Sequence, residues 1–160
     1  EKIRKHVEYG LEIVKDYEQE VKDMLAYHHE KIDGSGYPEG LIWQSIPEMA
    51  RIVAIADMYS ALIEDRVYRM KFDHFDAMKI VLKSTVTELD PNLLKVMLLY
   101  MPLYPINSVV QLSNGERGKV VRANPNPFRP VVDVVKDGHP VRIDLSRDVH
   151  TRKFIVRMKD

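Results

Sequence analysis

The chain changes its pattern once, at Met101-Pro102, and that change limits what it can fold into. Up to this point apolar residues recur at helical spacing. Beyond it come Val109-Val110-Gln111-Leu112, Lys119-Val120-Val121-Arg122, Val131-Val132-Asp133-Val134-Val135, Val141-Arg142-Ile143-Asp144-Leu145 and Phe154-Ile155-Val156. These runs are short and rich in β-branched residues. The turn sequences Ser113-Asn114-Gly115, Asn124-Pro125-Asn126-Pro127 and Lys136-Asp137-Gly138 lie between them. An α+β chain follows, with an all-α domain over residues 1–102 and a small all-β domain over 103–160. Five strands in so short a stretch suit a strongly bent sheet or an SH3-like barrel.

In the first half, Ile3, Val7, Leu11 and Val14 mark one amphipathic helix from Lys2 to about Tyr17. His6, Gly10 and Ile13 form an adjoining stripe, which lets His6 face inward; taken alone, it reads as an ordinary half-buried histidine. Val21, Met24, Leu25 and His28 form the stripe of a second helix, and His29, four residues after Leu25, is directed inward too. Burying two imidazoles without partners is costly, and a metal ion supplies partners. Adjacent helical residues point about 100° apart, so neighbouring histidines suit two nearby ions better than one. A bare His-His pair would otherwise be a solvated helix end. Glu30 either fixes an imidazole tautomer or is simply solvated. Gly34 and Gly36 then permit a tight loop and a close approach of a ligand to the backbone, and Pro38 stiffens its exit.

A third helix begins near Pro47 and runs to about Glu64. Between Ala50 and Ile63 its clearly polar residues are Arg51, Asp57 and Ser60, so it should be central. Asp57 shares a face with Ala50, Val53, Ala54 and Ala61; a carboxylate there needs an arginine or a metal. Asp73 with Asp76 starts a fourth helix, whose apolar face is Phe75, Met78, Val81 and Leu82. Asp90-Pro91 caps and opens a fifth, running through Leu99. His74, near a helix start, should be exposed.

Composition excludes several classes. Lys plus Arg and Asp plus Glu number 24 each, so no overall field draws the chain to nucleic acid or membrane, and any anionic ligand must be held locally. The basic residues of the β segment form no patch, which argues against DNA or RNA as a partner. With no cysteine, metal ligands must be nitrogen and oxygen. There is no apolar run long enough for a membrane segment and no signal-peptide pattern. The start at Glu1, inside a helical pattern, reads as a segment of a longer protein.

The stretch His28-His29-Glu30 followed by Asp33-Gly34-Ser35-Gly36-Tyr37-Pro38 resembles the signature of the HD-GYP family, bacterial metal-dependent phosphodiesterases of cyclic di-GMP within the HD phosphohydrolases. Three flanking patterns extend the resemblance over about the first 85 residues. His6 and Gly10 match a histidine four residues before a glycine, with Val7 where proline often stands. Asp57-Met58-Tyr59-Ser60-Ala61-Leu62 matches an Asp-x-Tyr-Asp-Ala-Leu pattern, with Ser60 in place of the second aspartate. Asp65-Arg66-Val67-Tyr68-Arg69 matches the next, with Val67 where proline is usual.

The resemblance implies an HD-type helical domain in which His6, His28, His29 and Asp57 ligate two or three divalent transition metal ions, iron or manganese, with His28, His29 and Asp57 catalytic. It implies that Tyr37, Gly36, Ser60, Arg66 and Arg69 face the substrate, Arg66 first among the phosphate contacts because of its planar fork of donors. Cyclic di-GMP would be the ligand, the location cytoplasmic, and the parent a protein with an upstream sensory domain, with or without a membrane anchor. The β segment would be a regulatory, homodimerising or packing appendage. No His-Asp dipeptide occurs in the chain, so the pair that names the superfamily is expected upstream. Weak or no turnover is therefore expected of these residues alone. Ser60 keeps open a non-catalytic module that binds the nucleotide or a protein, and base specificity leaves room for another nucleotide substrate.

Overall fold

The computed structural model describes residues 4–65, 70–85, 87–147 and 154–159. In chain order the elements are α1 (Lys5–Ile13), α2 (Gln19–Tyr27), a 3-10 turn (Trp43–Ser45), α3 (Glu48–Ile63), α4 (His74–Ser84), α5 (Pro91–Tyr100), β1 (Val109–Leu112), β2 (Arg117–Arg122), β3 (Val131–Lys136), β4 (His139–Asp144) and β5 (Ile155–Lys159). The fold class is α+β. Two compact units result, Glu1–Val96 and Met97–Asp160, the division falling within α5.

In the first unit α2 packs against α1 and α3, and α3 against α4. α1 is shorter than its apolar spacing suggests. It ends at Ile13, and Tyr17 N–H closes a turn on the Val14 carbonyl, 3.0 Å away. α3 is less central than its composition implies. Ala50, Ile55 and Leu62 are buried, but Met49, Ile52 and Ala56 form an exposed stripe. The reason is geometric: neighbours on two sides cover only part of a helix circumference. Pro47 sits just before the first helical residue rather than inside it.

Both aspartate caps behave as their positions require. Asp73 accepts from Asp76 N–H at 2.8 Å and starts α4; Asp90 accepts from Asn92 N–H at 2.8 Å and starts α5. Asp90, only 3% exposed, also pairs with the Arg51 guanidinium, which donates again to the Ile46 carbonyl at 3.1 Å. One arginine on α3 thus ties the start of α5 to the segment leading into α3. His74 is not exposed as expected: its Nδ1 and the Tyr59 hydroxyl are 2.8 Å apart, because the start of α4 packs back on α3.

The second unit is a five-stranded antiparallel sheet in the order β4-β3-β2-β1-β5. β4 and β5 are its two edges, so the sheet is open, and the expected SH3-like closure is not formed by these strands. Alternation sorts the faces. Val110, Leu112, Val120, Val132, Val134 and Ile155 are buried on one side. Gly118 sits between Val110 and Val134, where a Cβ would lie 3.0 Å from the Val134 side chain. Asp137 and Gly138, both at positive φ, make the two-residue turn between paired Lys136 and His139. On the outer face Asp133 accepts from Arg142 at 2.8 and 2.9 Å. Asp144 accepts from Asn124 at 2.8 Å and from the Ser146 hydroxyl at 2.6 Å.

Replacing Arg51 by Met strands a buried carboxylate and should lower unfolding stability by about 3 kcal/mol or more, read from urea denaturation. Arg142 donors hold the Asp133 carboxyl below its usual range, and the Ser146 hydroxyl does so for Asp144. Their contribution is full above the unfolded carboxylate pKa and is lost as pH falls through the lower folded values. The urea midpoint of the second unit should therefore drop on acidification below about pH 4, and Asp144→Asn should flatten that dependence.

Candidate metal centre

Gly10 is where α1 meets α2. A Cβ there would stand 2.7 Å from the Leu25 side chain, so its absence lets α1 lie close and carries His6 to the end of α2. α2 stops at Tyr27 and His28 caps it, still in the α region at φ −66° and ψ −13°. The His28 Nδ1 lies 2.9 Å from the Leu25 carbonyl, a contact that only Nδ1–H can make and that leaves the Nε2 lone pair free.

Nitrogens of His6, His28 and His29 all lie within 4.8 Å of one another. His6 Nε2 and His29 Nε2 are 3.1 Å apart. Two nitrogens each about 2.1 Å from one ion are separated by roughly 3.0 to 3.4 Å, so this spacing fits a shared cation. His6 is exposed rather than inward-facing as its stripe suggests; His28 and His29 are half-buried. Burial pushes the His29 imidazole down to about 4, helped by His28 and His6 and opposed by Asp57. At neutral pH it is therefore an uncharged ligand, which metal binding requires.

Asp57 does not belong to the 4.8 Å cluster and is exposed, so the burial penalty expected of it does not arise. It lines a cavity of about 260 Å³ together with His28, His29, Ala54, Met58 and Ala61. Its charge reaches His29 and Tyr37. The donor set of three imidazoles and a nearby carboxylate fits a divalent transition ion without thiolate.

The loop after the histidines folds back on them. Tyr37 N–H donates to the His29 carbonyl at 3.2 Å, and the Tyr37 ring lies over the His29 ring at 4.7 Å. The peptide bond between Tyr37 and Pro38 is cis. Burial raises the Tyr37 phenol; the Arg4 cation lowers it and the Asp57 charge raises it. Asp33 accepts from the Ser35 N–H and hydroxyl at 2.9 and 2.7 Å, turning the chain at its exposed tip. Gly36 is pressed against the Lys31 amide, and a Cβ there would lie 2.5 Å from the Glu30 Cα and 2.6 Å from the His29 carbonyl oxygen. Its role is close packing of backbone on backbone.

Glu30 is neither a tautomer-fixing partner nor solvated. It is 3% exposed and accepts from the N–H groups of Glu39, Gly40 and Leu41 at 2.7, 3.1 and 2.9 Å. Arg4, which sequence reasoning passed over, places its guanidinium 4.6 Å from the centre of the Tyr37 ring. No local pattern signals that contact, since the two residues meet only once the loop has closed. Lys31 pairs with Glu88 at 2.9 Å, and both line the cavity. Ser60 is exposed, one turn along α3 from Asp57, and is not among the cavity-lining residues. Arg66 and Arg69 lie outside the described residues.

Residues 1–93 match the family model described as HD domain. The chain belongs to the HD-domain family. Among curated relatives it is similar to a cyclic di-GMP phosphodiesterase of Pseudomonas aeruginosa, 31% identical over 122 residues, which cover 74% of this chain and 29% of that protein. It is similar to a 3'3'-cGAMP-specific phosphodiesterase of Vibrio cholerae, 37% identical over 100 residues, 60% of this chain and 19% of the relative. A cyclic di-GMP phosphodiesterase of Borreliella burgdorferi is 29% identical over 116 residues, 71% of this chain and 31% of that protein. The chain thus spans less than a third of these relatives' lengths. The HD-domain match and the relatives' names agree with the HD-GYP resemblance of the histidine and Gly-Tyr-Pro segment. Among the described residues no helix is long and apolar enough to cross a membrane.

Gly36→Ala should cost about 1 to 3 kcal/mol of stability, because the added methyl meets backbone that cannot swing aside. Thermal unfolding checks it, with Ser35→Ala at the exposed loop tip as a near-neutral comparison.

Proposed function

We propose that this HD-domain segment forms part of a metal-dependent phosphodiesterase site that hydrolyses cyclic di-GMP. The observation that carries the proposal is the convergence of His6, His28 and His29 nitrogens within 4.8 Å beside a cavity lined by Asp57, in a chain similar to cyclic dinucleotide phosphodiesterases. His6, His28 and His29 would hold the cation, with Asp57 as the carboxylate ligand, and iron or manganese suits this donor set. What divalent ions supply when bound is Lewis acidity toward a phosphodiester oxygen and a lower pKa for attacking water.

The chain's own residues divide the remaining work. His28 keeps its Nε2 lone pair available through the Nδ1 contact with Leu25, and His29 stays neutral. Tyr37, with a phenol held protonated at neutral pH, offers a hydrogen bond to a phosphate oxygen at the mouth of the site. Gly36 keeps the loop backbone close enough for that reach. Arg66 and Arg69 would add charge-assisted donors to phosphate, and Ser60 a hydroxyl where the family pattern has a carboxylate. The helical domain is taken as 1–102 and the β appendage as 103–160. A cytoplasmic location, an upstream sensory domain and homodimerisation belong to the same proposal. The sequence has no His-Asp dipeptide, so we propose that a full ligand set draws on residues outside this stretch.

The similarity to a 3'3'-cGAMP-specific enzyme favours testing that nucleotide as the competing substrate. Calorimetry and elemental analysis with Mn(II) or Fe(II) should find metal on the chain, and His28→Ala or His29→Ala should weaken it by more than about tenfold. Turnover by the 160 residues alone should be weak or absent. Metal affinity that survives both substitutions would sink the proposal.

A further inference from the structure

We infer that Glu30 is a positioning residue, whose buried carboxyl group locks the loop carrying Tyr37 and thereby sets the orientation of His29 toward the metal site. This deepens the metal-site proposal and rests on it for its chemical meaning. The geometry is independent of it. One Glu30 oxygen accepts from Glu39 and Gly40 N–H, the other from Leu41 N–H. A buried carboxylate without partners is costly, so these three donors hold residues 39–41 to the side chain that follows His29.

The same loop touches His29 twice more. Tyr37 N–H donates to its carbonyl at 3.2 Å, and the two rings lie 4.7 Å apart. Gly36 packs on the Glu30 Cα between those contacts. Residues 29 and 30 are therefore gripped from both sides by one loop, and the histidine's backbone and ring share a single anchor. His28 is held separately, through Leu25. Loss of the Glu30 grip should therefore disturb His29 and leave His28 in place.

Glutamine in place of Glu30 keeps the size but can satisfy at most two of the three N–H groups, since its own amide donor must face the rest. Two readouts separate this role from plain destabilisation. In the metal-free chain, nuclear Overhauser contacts between the His29 and Tyr37 rings should be seen in the parent and lost in Glu30→Gln, while Asp73→Ala, which removes a distant helix cap, keeps them. With Co(II) as probe, Glu30→Gln should bind at least tenfold more weakly and with altered visible bands, whereas Asp73→Ala should retain the parent spectrum, both compared at a temperature where circular dichroism shows them folded. Ring contacts or a Co(II) spectrum unchanged in Glu30→Gln would overturn the inference. If the parent chain itself binds no Co(II), the metal-site proposal fails, and the ring contacts still decide the placement of His29.

Discussion

A single buried carboxyl group, that of Glu30, satisfies three backbone N–H groups of a loop whose tip, Asp33-Gly34-Ser35-Gly36, has no apolar side chain with which to pack. Such a loop pays for its order with hydrogen bonds or not at all. The placement of Tyr37 and the hold on His29 follow from this closure. Tyr37 lies on His29 because the loop returns, and position 36 has no room for a side chain because backbone meets backbone there. The far side of the loop is held as well, by Ile32 and Asp33 N–H groups donating to the Glu88 and Thr87 carbonyls at 3.1 and 3.2 Å. Glu88 in turn pairs with Lys31. The loop is thus stitched to the segment between α4 and α5.

The second requirement is close approach of α1 and α2. Imidazoles from two helices reach one another only if the helix axes lie near, and Gly10 against Leu25 allows that. The rings that result are tightly grouped, with centroids 5.6 Å apart for His6 and His28, 5.0 Å for His6 and His29, and 4.0 Å for the adjacent pair. The cost falls on His29. Its imidazole is half-buried beside two others, and positive charge there is disfavoured. The protein therefore holds His29 as a lone-pair donor at neutral pH before any ligand arrives.

Much of this was legible in the residues, and the parts that were not share a cause. Asp73 and Asp90 announced their helices because capping is decided within one turn. The five β-branched runs announced the strands because alternation and turns are local too. The histidine and glycine segment was legible for the same reason. The Glu30 contacts reach nine to eleven residues ahead, and the Tyr59–His74 contact spans 15. Arg4 meets Tyr37 only through tertiary folding. Spacing cannot announce such partners. The exposed stripe on α3 was misleading in another way, since hydrophobicity states which residues can be buried but not how many neighbours arrive to bury them. The open sheet likewise depends on where β4 and β5 end, which strand propensity does not encode.

Local charge bears on what the cavity can accept. The chain as a whole is neutral, with 24 positive and 24 negative side chains, so a phosphodiester gains nothing from the distant field. Near the histidines the sum differs. Neutral imidazoles bring no charge, and the cavity wall carries the carboxylates of Asp57, Glu30 and Glu88 against the one ammonium of Lys31. A divalent cation there would offset the wall's excess of carboxylates, in a half-enclosed cavity where screening is weaker than in bulk water. A carboxylate-rich set would hold a hard cation more firmly but repel the same substrate. At Ser60, one turn along α3 from Asp57, a hydroxyl can donate to an anion where a carboxylate would repel it.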